Sequence, residues 1–334
     1  MSNSNVFNHS YRNLHIPIDA PLELKPSPGK GWGAFATRPI TQGTIVLKET
    51  PLFIIHKPHE AITEQDLWTA FQALPPRDKQ LFLCIRDNPS TPFASMTGMF
   101  AENSFALTRP FGHGLFPLHS RINHSCLPNC KLPDPAEGTT TPGDGAITCF
   151  ATKDIAYGEE ITFCYNTDFE CRTRDDRYRE LRFACNCKAC TLGTPFQLLS
   201  DMRRTLIRGL QYLTTGTDLD GQKDSSQTPL IVDPDLKKDA ETMSIPLSNR
   251  LVYSLLSMAL VEQEGLMDEF TVRRMNPAIL LLASRFRDKQ NAEIAGAAMG
   301  REMWTEKFGV AVEMFGRGDV GFEEMLSELG IAIG

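Results

Sequence analysis

The sequence has 334 residues, 41% hydrophobic and 22% charged, enough apolar material for about two packed domains and too much for wholesale disorder. Lys plus Arg number 34 against 41 Asp plus Glu, and the net charge of −7 makes a poor electrostatic partner for nucleic acid or an anionic membrane. The 9 cysteines, odd in number and without secretory context, imply reduced thiols in a nuclear and/or cytoplasmic protein, and no apolar run, the longest being 277–283, is long enough to span a bilayer.

Residues 1–20 open on the polar Met1-Ser2-Asn3-Ser4-Asn5 and read as a loose leader with no signal-peptide core. Residues 21–56 read as β: Leu22-Glu23-Leu24-Lys25 and Ile45-Val46-Leu47-Lys48 alternate, residues 52–55 form a short apolar run, and Gly and Pro separate them. The spacing then turns helical over 63–86. Thr63 is the expected N-cap, Leu67, Trp68, Phe71 and Leu74 share a face, Pro75-Pro76 breaks the pattern, and a second helix carries Leu81, Phe82 and Ile85. Strand character returns at 146–150 and 160–165, with a turn at 154–158 between them. Two stretches read as loops or linkers: 133–145, rich in Pro, Gly and Thr, and the polar 214–247, which Leu230-Ile231-Val232 could pin in part. From Ser248, an expected N-cap, the chain reads as helix, with Leu251, Val252, Leu255, Leu256, Ala259 and Leu260 in one stripe and further apolar faces at 278–286, 292–308 and 322–329.

Cys185, Cys187 and Cys190 form C-x-C-x-x-C. Three thiolates that close cannot pair among themselves without a remainder, but they can converge on a tetrahedral zinc if one more ligand comes from elsewhere. On spacing alone that ligand could be Cys126, Cys130, Cys164 or Cys171. A closed four-cysteine site would be structural rather than catalytic.

Arg121-Ile122-Asn123-His124-Ser125-Cys126-Leu127-Pro128-Asn129-Cys130 packs amides, an imidazole, a hydroxyl and thiols around one proline. Each residue singly fits an Asx-rich turn capping its own backbone, and His124 could equally be a satisfied core histidine; together they suggest a hydrogen-bonded polar turn lining a site. Gly29-Lys30-Gly31-Trp32-Gly33 lacks both G-x-G-x-x-G and G-K-[ST], which leaves a tight turn whose backbone can approach a ligand closely. Tyr165 ends the 160–165 run, where packing is the ordinary role of a tyrosine.

Taken in order, these strings resemble SET-domain protein lysine methyltransferases, in particular the SET-and-MYND branch and its fungal relatives. The matching pieces are Gly29-Lys30-Gly31-Trp32-Gly33-Ala34, Glu102-Asn103-Ser104-Phe105, Gly114-Leu115-Phe116-Pro117 running into Ser120 to Asn129, Gly158-Glu159-Glu160-Ile161-Thr162-Phe163-Cys164-Tyr165, and Phe183-Ala184-Cys185-Asn186-Cys187-Lys188-Ala189-Cys190. They span residues 21–193, and N-H-S-C-x-P-N with C-x-C-x-x-C behind it is the most specific part.

The resemblance implies an α+β fold. A SET β-fold at 21–170 would carry a helical insert at about 57–105, followed by a four-cysteine zinc post-SET segment at 171–193 and an all-helical, tetratricopeptide-like C-terminal region at 194–334. It also implies S-adenosylmethionine as cofactor. The backbone at Lys30, Gly31 and Trp32 would cradle its methionine end. Asn103 would hydrogen-bond it, Asn123 and His124 would hold its amino-acid and adenine parts, and Phe183 would flank the adenine. Tyr165 would be the active-site tyrosine, also beside the cofactor, and Cys126 the fourth ligand of a structural zinc with Cys185, Cys187 and Cys190. The MYND finger is missing, since Cys84 is the only cysteine before residue 126. The expected partner is a lysine-containing segment of a protein, histone or not, acted on by a monomer with no direct nucleic-acid or membrane contact. The competing expectation is a catalytically silent SET-fold scaffold or chromatin adaptor.

Overall fold

The computed structural model describes residues 9–86, 93–133, 145–181, 183–215, 247–272 and 275. The chain divides into two compact units: Met1–His124 with Pro128–Phe163, and Ser125–Leu127 with Cys164–Gly334.

The first unit holds β1 (Leu22–Ser27), β2 (Gly31–Ala36), β3 (Ile45–Glu49), β4 (Ile54–Ile55), α1 (Glu64–Ala73), α2 (Pro76–Arg86) and α3 (Met96–Asn103). After these come β5 (Ser104–Thr108), β6 (Phe111–Leu115), β7 (Asn123–His124), β8 (Cys130–Lys131), β9 (Ile147–Ala151) and β10 (Glu160–Phe163). Among the described residues these form three small sheets, ordered β1-β2-β10-β7, β3-β9-β8 and β4-β6-β5. In the first, β1 and β2 form an antiparallel hairpin with Ser27 opposite Gly31. Its tight turn places Gly29 at φ +74 and Gly31 at φ +76, a region open to glycine at little cost. β10 lies antiparallel to β2, with Ile161 opposite Ala34, and parallel to β7, with Thr162 opposite Asn123. These pairings bring the glycine turn, the Asn123 string and Glu160 into one sheet.

The expected turn at Gly29-Lys30-Gly31 is present, but its glycine-rich continuation is strand β2, which composition hides because Gly31, Gly33 and Ala34 carry little β propensity. The hairpin of β5 and β6 was unreadable for the same reason: Gly112 and Gly114 sit within β6. Helix α3 ends at Asn103 and β5 begins at once. The 160–165 run is strand only as far as Phe163, so Cys164 and Tyr165 lie beyond it.

The sheets bury Leu22, Ala34, Ala36, Val46, Leu47, Ile122, Cys149 and Ile161, and Tyr11 and Leu14 join the same cluster. Residues 9–14 are therefore not loose. Ser10–Asn13 forms a 3-10 turn, His9 stacks on Trp32 with ring centroids 4.4 Å apart, and burial of Tyr11 and Leu14 supplies the driving force. Thr63 caps α1 in a capping box with Asp66, as its sequence predicts. Helices α1 to α3 build a second cluster from Leu67, Leu74, Phe82, Ile85, Met96, Met99 and Phe100, whereas Trp68 is half exposed and leans on Phe71 at 5.7 Å. Met99 is fully buried, so Met99→Ala is expected to cost about 2–5 kcal/mol in equilibrium denaturation, and a cost under about 1 kcal/mol would contradict this packing.

The second unit holds a 3-10 turn Thr167–Cys171, α4 (Arg174–Leu181), α5 (Pro195–Thr215) and α6 (Leu247–Gln263). Helix α6 begins at Leu247, so Ser248 lies inside it rather than capping it. Ile207 and Leu210 of α5 pack with Leu256, Ala259 and Leu260 of α6, as the apolar stripe predicts; the side chains of Leu251 and Val252 fall outside the described residues. So do nearly all of the 133–145 loop, nearly all of the 214–247 linker with Leu230-Ile231-Val232, and the faces at 278–286, 292–308 and 322–329. Among the described residues no helix is long and apolar enough to cross a membrane.

Candidate active site and metal centre

In the first unit, Glu160 at the start of β10 organises the polar groups around Asn123. Its Oε1 accepts from Ser27 Oγ at 2.7 Å and from Asn123 Nδ2 at 2.8 Å, and its Oε2 accepts from Lys30 Nζ at 2.9 Å. Burial would raise this carboxyl, but hydrogen bonds from Asn123, Lys30 and Ser27 outweigh it and hold it below the ordinary carboxylate range. Asn123 Nδ2 also donates to Trp32 O at 3.2 Å, so both its N–H bonds are committed and the amide orientation is set. Three predicted positions, Lys30, Trp32 and Asn123, thus converge, while Gly31 has open space where a Cβ would stand. His124 is buried beside Asn123 in β7.

Asn103 belongs to a different set of contacts. It is buried at the end of α3, donates from Nδ2 to Met99 O at 2.7 Å and accepts at Oδ1 from Arg121. The Arg121 guanidinium lies 4.4 Å over the Tyr11 ring. Just before Arg121, the backbone N–H groups of Leu118 and His119 donate to Glu49, both at 2.9 Å, and His119 Nδ1 pairs with the same carboxylate at 2.8 Å, pinning the chain ahead of Asn123.

In the second unit, Cys126, Cys185, Cys187 and Cys190 bring their sulfurs within 4.8 Å of one another. Cys126 Sγ lies 3.9 Å from Cys185 Sγ and 3.5 Å from Cys190 Sγ. A disulfide needs about 2.05 Å, whereas a tetrahedral zinc with Zn–S near 2.3 Å sets its sulfurs about 3.8 Å apart. The donor set therefore fits zinc. The other candidates left open by spacing have other places: Cys171 Sγ donates to Gln211 Oε1 at 3.1 Å, Cys164 Sγ donates to Asn166 O at 3.2 Å, and Cys130 is a buried β8 residue of the first unit.

Two buried arginines brace this cluster. Arg177 of α4 donates to Arg172 O at 2.5 Å, to Ala189 O at 2.7 Å and to Cys190 Sγ at 3.5 Å. Burial works against its charge, but the Cys126 and Cys190 sulfurs and Asp201 more than compensate, so it stays protonated. Arg204 of α5 donates to Cys126 O at 2.9 Å and to Phe169 O, and meets Glu264 at 3.0 Å, a carboxylate shared with Arg203. Tyr165 and Phe183 are both 44% exposed and meet edge to face with centroids 6.3 Å apart.

Sequence reading did not single out Glu160, Ser27, Arg177 or Arg204. Glu160 lies inside the 158–165 string with no local sign of a role, and only the pairing of β10 with the glycine-rich β2 reveals one. Arg177 lies in the charged run 172–182 and Arg204 beside Arg203 in α5, and nothing local signals that either side chain is buried.

Residues 31–166 match the SET domain family. Over 185 residues the chain is 29% identical to histone-lysine N-methyltransferase set5 of Schizosaccharomyces pombe, covering 54% of each chain. It is 33% identical over 96 residues to histone-lysine N-methyltransferase SMYD3 of Homo sapiens, covering 26% of this chain and 20% of that one. It is 37% identical over 87 residues to protein-lysine N-trimethyltransferase SMYD5 of Danio rerio, covering 24% and 19%. The chain thus spans about half the length of the first relative and about a fifth of the other two.

Proposed function

We propose that this chain, which carries a SET domain over residues 31–166, is an S-adenosylmethionine-dependent methyltransferase that acts on a lysine side-chain amine of a protein, histone or non-histone. The observation that carries the reading is the fixed Asn123 amide, held by Glu160 and Trp32 O inside the SET match.

The cofactor supplies a methyl group already activated on a sulfonium, so the protein mainly aligns the reactants and excludes water. The backbone at Lys30, Gly31 and Trp32 would take its methionine end, and Asn123 and His124 its amino-acid and adenine parts. Asn103, with one N–H and its oxygen committed to Met99 and Arg121, would hydrogen-bond the cofactor through its second N–H, which has no partner among the described residues. Phe183 offers a half-exposed ring to the adenine. The substrate lysine must react as the neutral amine, which a nearby positive charge and apolar surroundings favour by lowering its pKa. The Tyr165 hydroxyl would orient that amine. Cys126, Cys185, Cys187 and Cys190 would hold one structural zinc.

On this reading Arg177 offsets the negative charge that four thiolates leave on a zinc ion. Arg177→Met is expected to weaken zinc retention about 10- to 100-fold in a chelator competition, as loss of groups around metal ligands generally does. Unchanged retention would remove Arg177 from this role.

The function itself is tested by incubating the protein with methyl-labelled S-adenosylmethionine and lysine-containing peptides. Label on a lysine, lost in Asn123→Ala, is the expected result. A zinc-loaded, folded protein that transfers no label to any lysine would favour the silent scaffold.

A further inference from the structure

We propose that Glu160 is the positioning residue of the cofactor site: one carboxylate sets the geometry of Lys30, Trp32 and Asn123 together. The inference rests on the cofactor reading above and extends it to a residue that has no contact with the cofactor assigned to it.

Three donors share this carboxylate. Ser27 Oγ and Asn123 Nδ2 meet Oε1 at 2.7 and 2.8 Å, and Lys30 Nζ meets Oε2 at 2.9 Å. Asn123 passes the constraint on through its other N–H to Trp32 O. Both ends of the glycine turn, Ser27 and Lys30, are thereby tied to the β7 residue expected to hold the ligand. Hydrogen bonds to an ionised acceptor are stronger than neutral ones, and this one is mostly shielded, with the Glu160 side chain 20% exposed.

Gly33 makes the arrangement possible. A Cβ there would stand 2.6 Å from Glu160 Oε1, 2.7 Å from Asn123 Nδ2 and 3.3 Å from Ser27 Cβ. Separations under 3.0 Å force a shift, so any side chain at 33 displaces the carboxylate–amide pair itself. Gly33 has an ordinary extended backbone, so the requirement comes from the space Glu160 and Asn123 occupy and not from its φ.

Glu160→Gln keeps the size and removes the charge. Its amide has one acceptor end for three donors, so its NH2 must face a donor, Lys30 losing its ion partner or Asn123 its acceptor. The test is calorimetric titration of the full chain with S-adenosylmethionine, comparing the wild type with Glu160→Gln and Gly33→Ala, each checked for bound zinc and a cooperative thermal transition. Both variants are expected to bind about tenfold or more weakly. The KM for a lysine peptide and the kcat at saturating cofactor should stay within about twofold, a split that general loosening of the fold would not produce. Affinity within about twofold of wild type in a folded variant overturns the proposal, as does a parallel rise in peptide KM. If Glu160→Gln does not fold, Gly33→Ala decides by the same criterion. A wild type that binds no cofactor overturns the site reading itself, an outcome seen before any variant is compared.

Discussion

Cys187→Ser is expected to abolish stoichiometric zinc binding and to unfold the segment built on the cysteine cluster. Residues 183–194 contain no regular helix or strand, so few backbone hydrogen bonds hold them. Their apolar support is small: Cys126, Cys190 and Ala189 pack with Phe169 and Leu181 and little else that is fully buried. Burial on that scale does not offset the entropy of ordering such a loop. A four-thiolate zinc site does, with a metal-coupled contribution on the order of 10 kcal/mol. Metal analysis together with hydrogen exchange at Phe169, Leu181 and Ala189 would follow both effects, with Cys149→Ser in the first unit as a control that keeps its zinc. Full zinc content and unchanged exchange protection in Cys187→Ser would refute the metal assignment.

Tyr165→Phe is expected to lower methyl transfer by about 10²- to 10³-fold, the usual effect of deleting one hydrogen-bonding group aimed at the reacting atoms. Thermal stability should change little, because the side chain is 44% exposed and phenylalanine keeps the ring that meets Phe183 edge to face. Steady-state kinetics with a lysine peptide, and mass spectrometry of the methylation state, would measure the loss. Unchanged turnover and an unchanged product distribution would remove Tyr165 from the chemistry.

Those two positions also show what the sequence could and could not tell. C-x-C-x-x-C is legible because three cysteines within six residues cannot all pair among themselves and suit a metal, but its fourth member lies far away in sequence. Spacing left four candidates, and only the resemblance favoured Cys126 among them. Helices α1 and α2 were readable from a cap, an apolar period and a proline break, all local signals. Strand β2 and the hairpin of β5 and β6 were not, because glycines inside a strand erase its propensity and the pairing that stabilises it lies elsewhere in the chain. Residues 9–14 passed for a leader because a single buried turn has no period to detect. Glu160 was invisible for a related reason: a glutamate at a strand's start is ordinary until its partners at Ser27, Lys30 and Asn123, brought in by two strand pairings, are known.

The central claim is that residues 30–32 and Asn123 form part of a working S-adenosylmethionine site. Calorimetric titration of the zinc-loaded protein with S-adenosylmethionine, beside Asn123→Ala, tests it most directly. The account predicts one site per chain with a dissociation constant of roughly 10 μM or below in the wild type and at least about tenfold weaker binding in the variant. A folded, zinc-loaded wild type that releases no binding heat and protects no backbone amides on adding the cofactor, or a variant that binds as tightly as wild type, would contradict it.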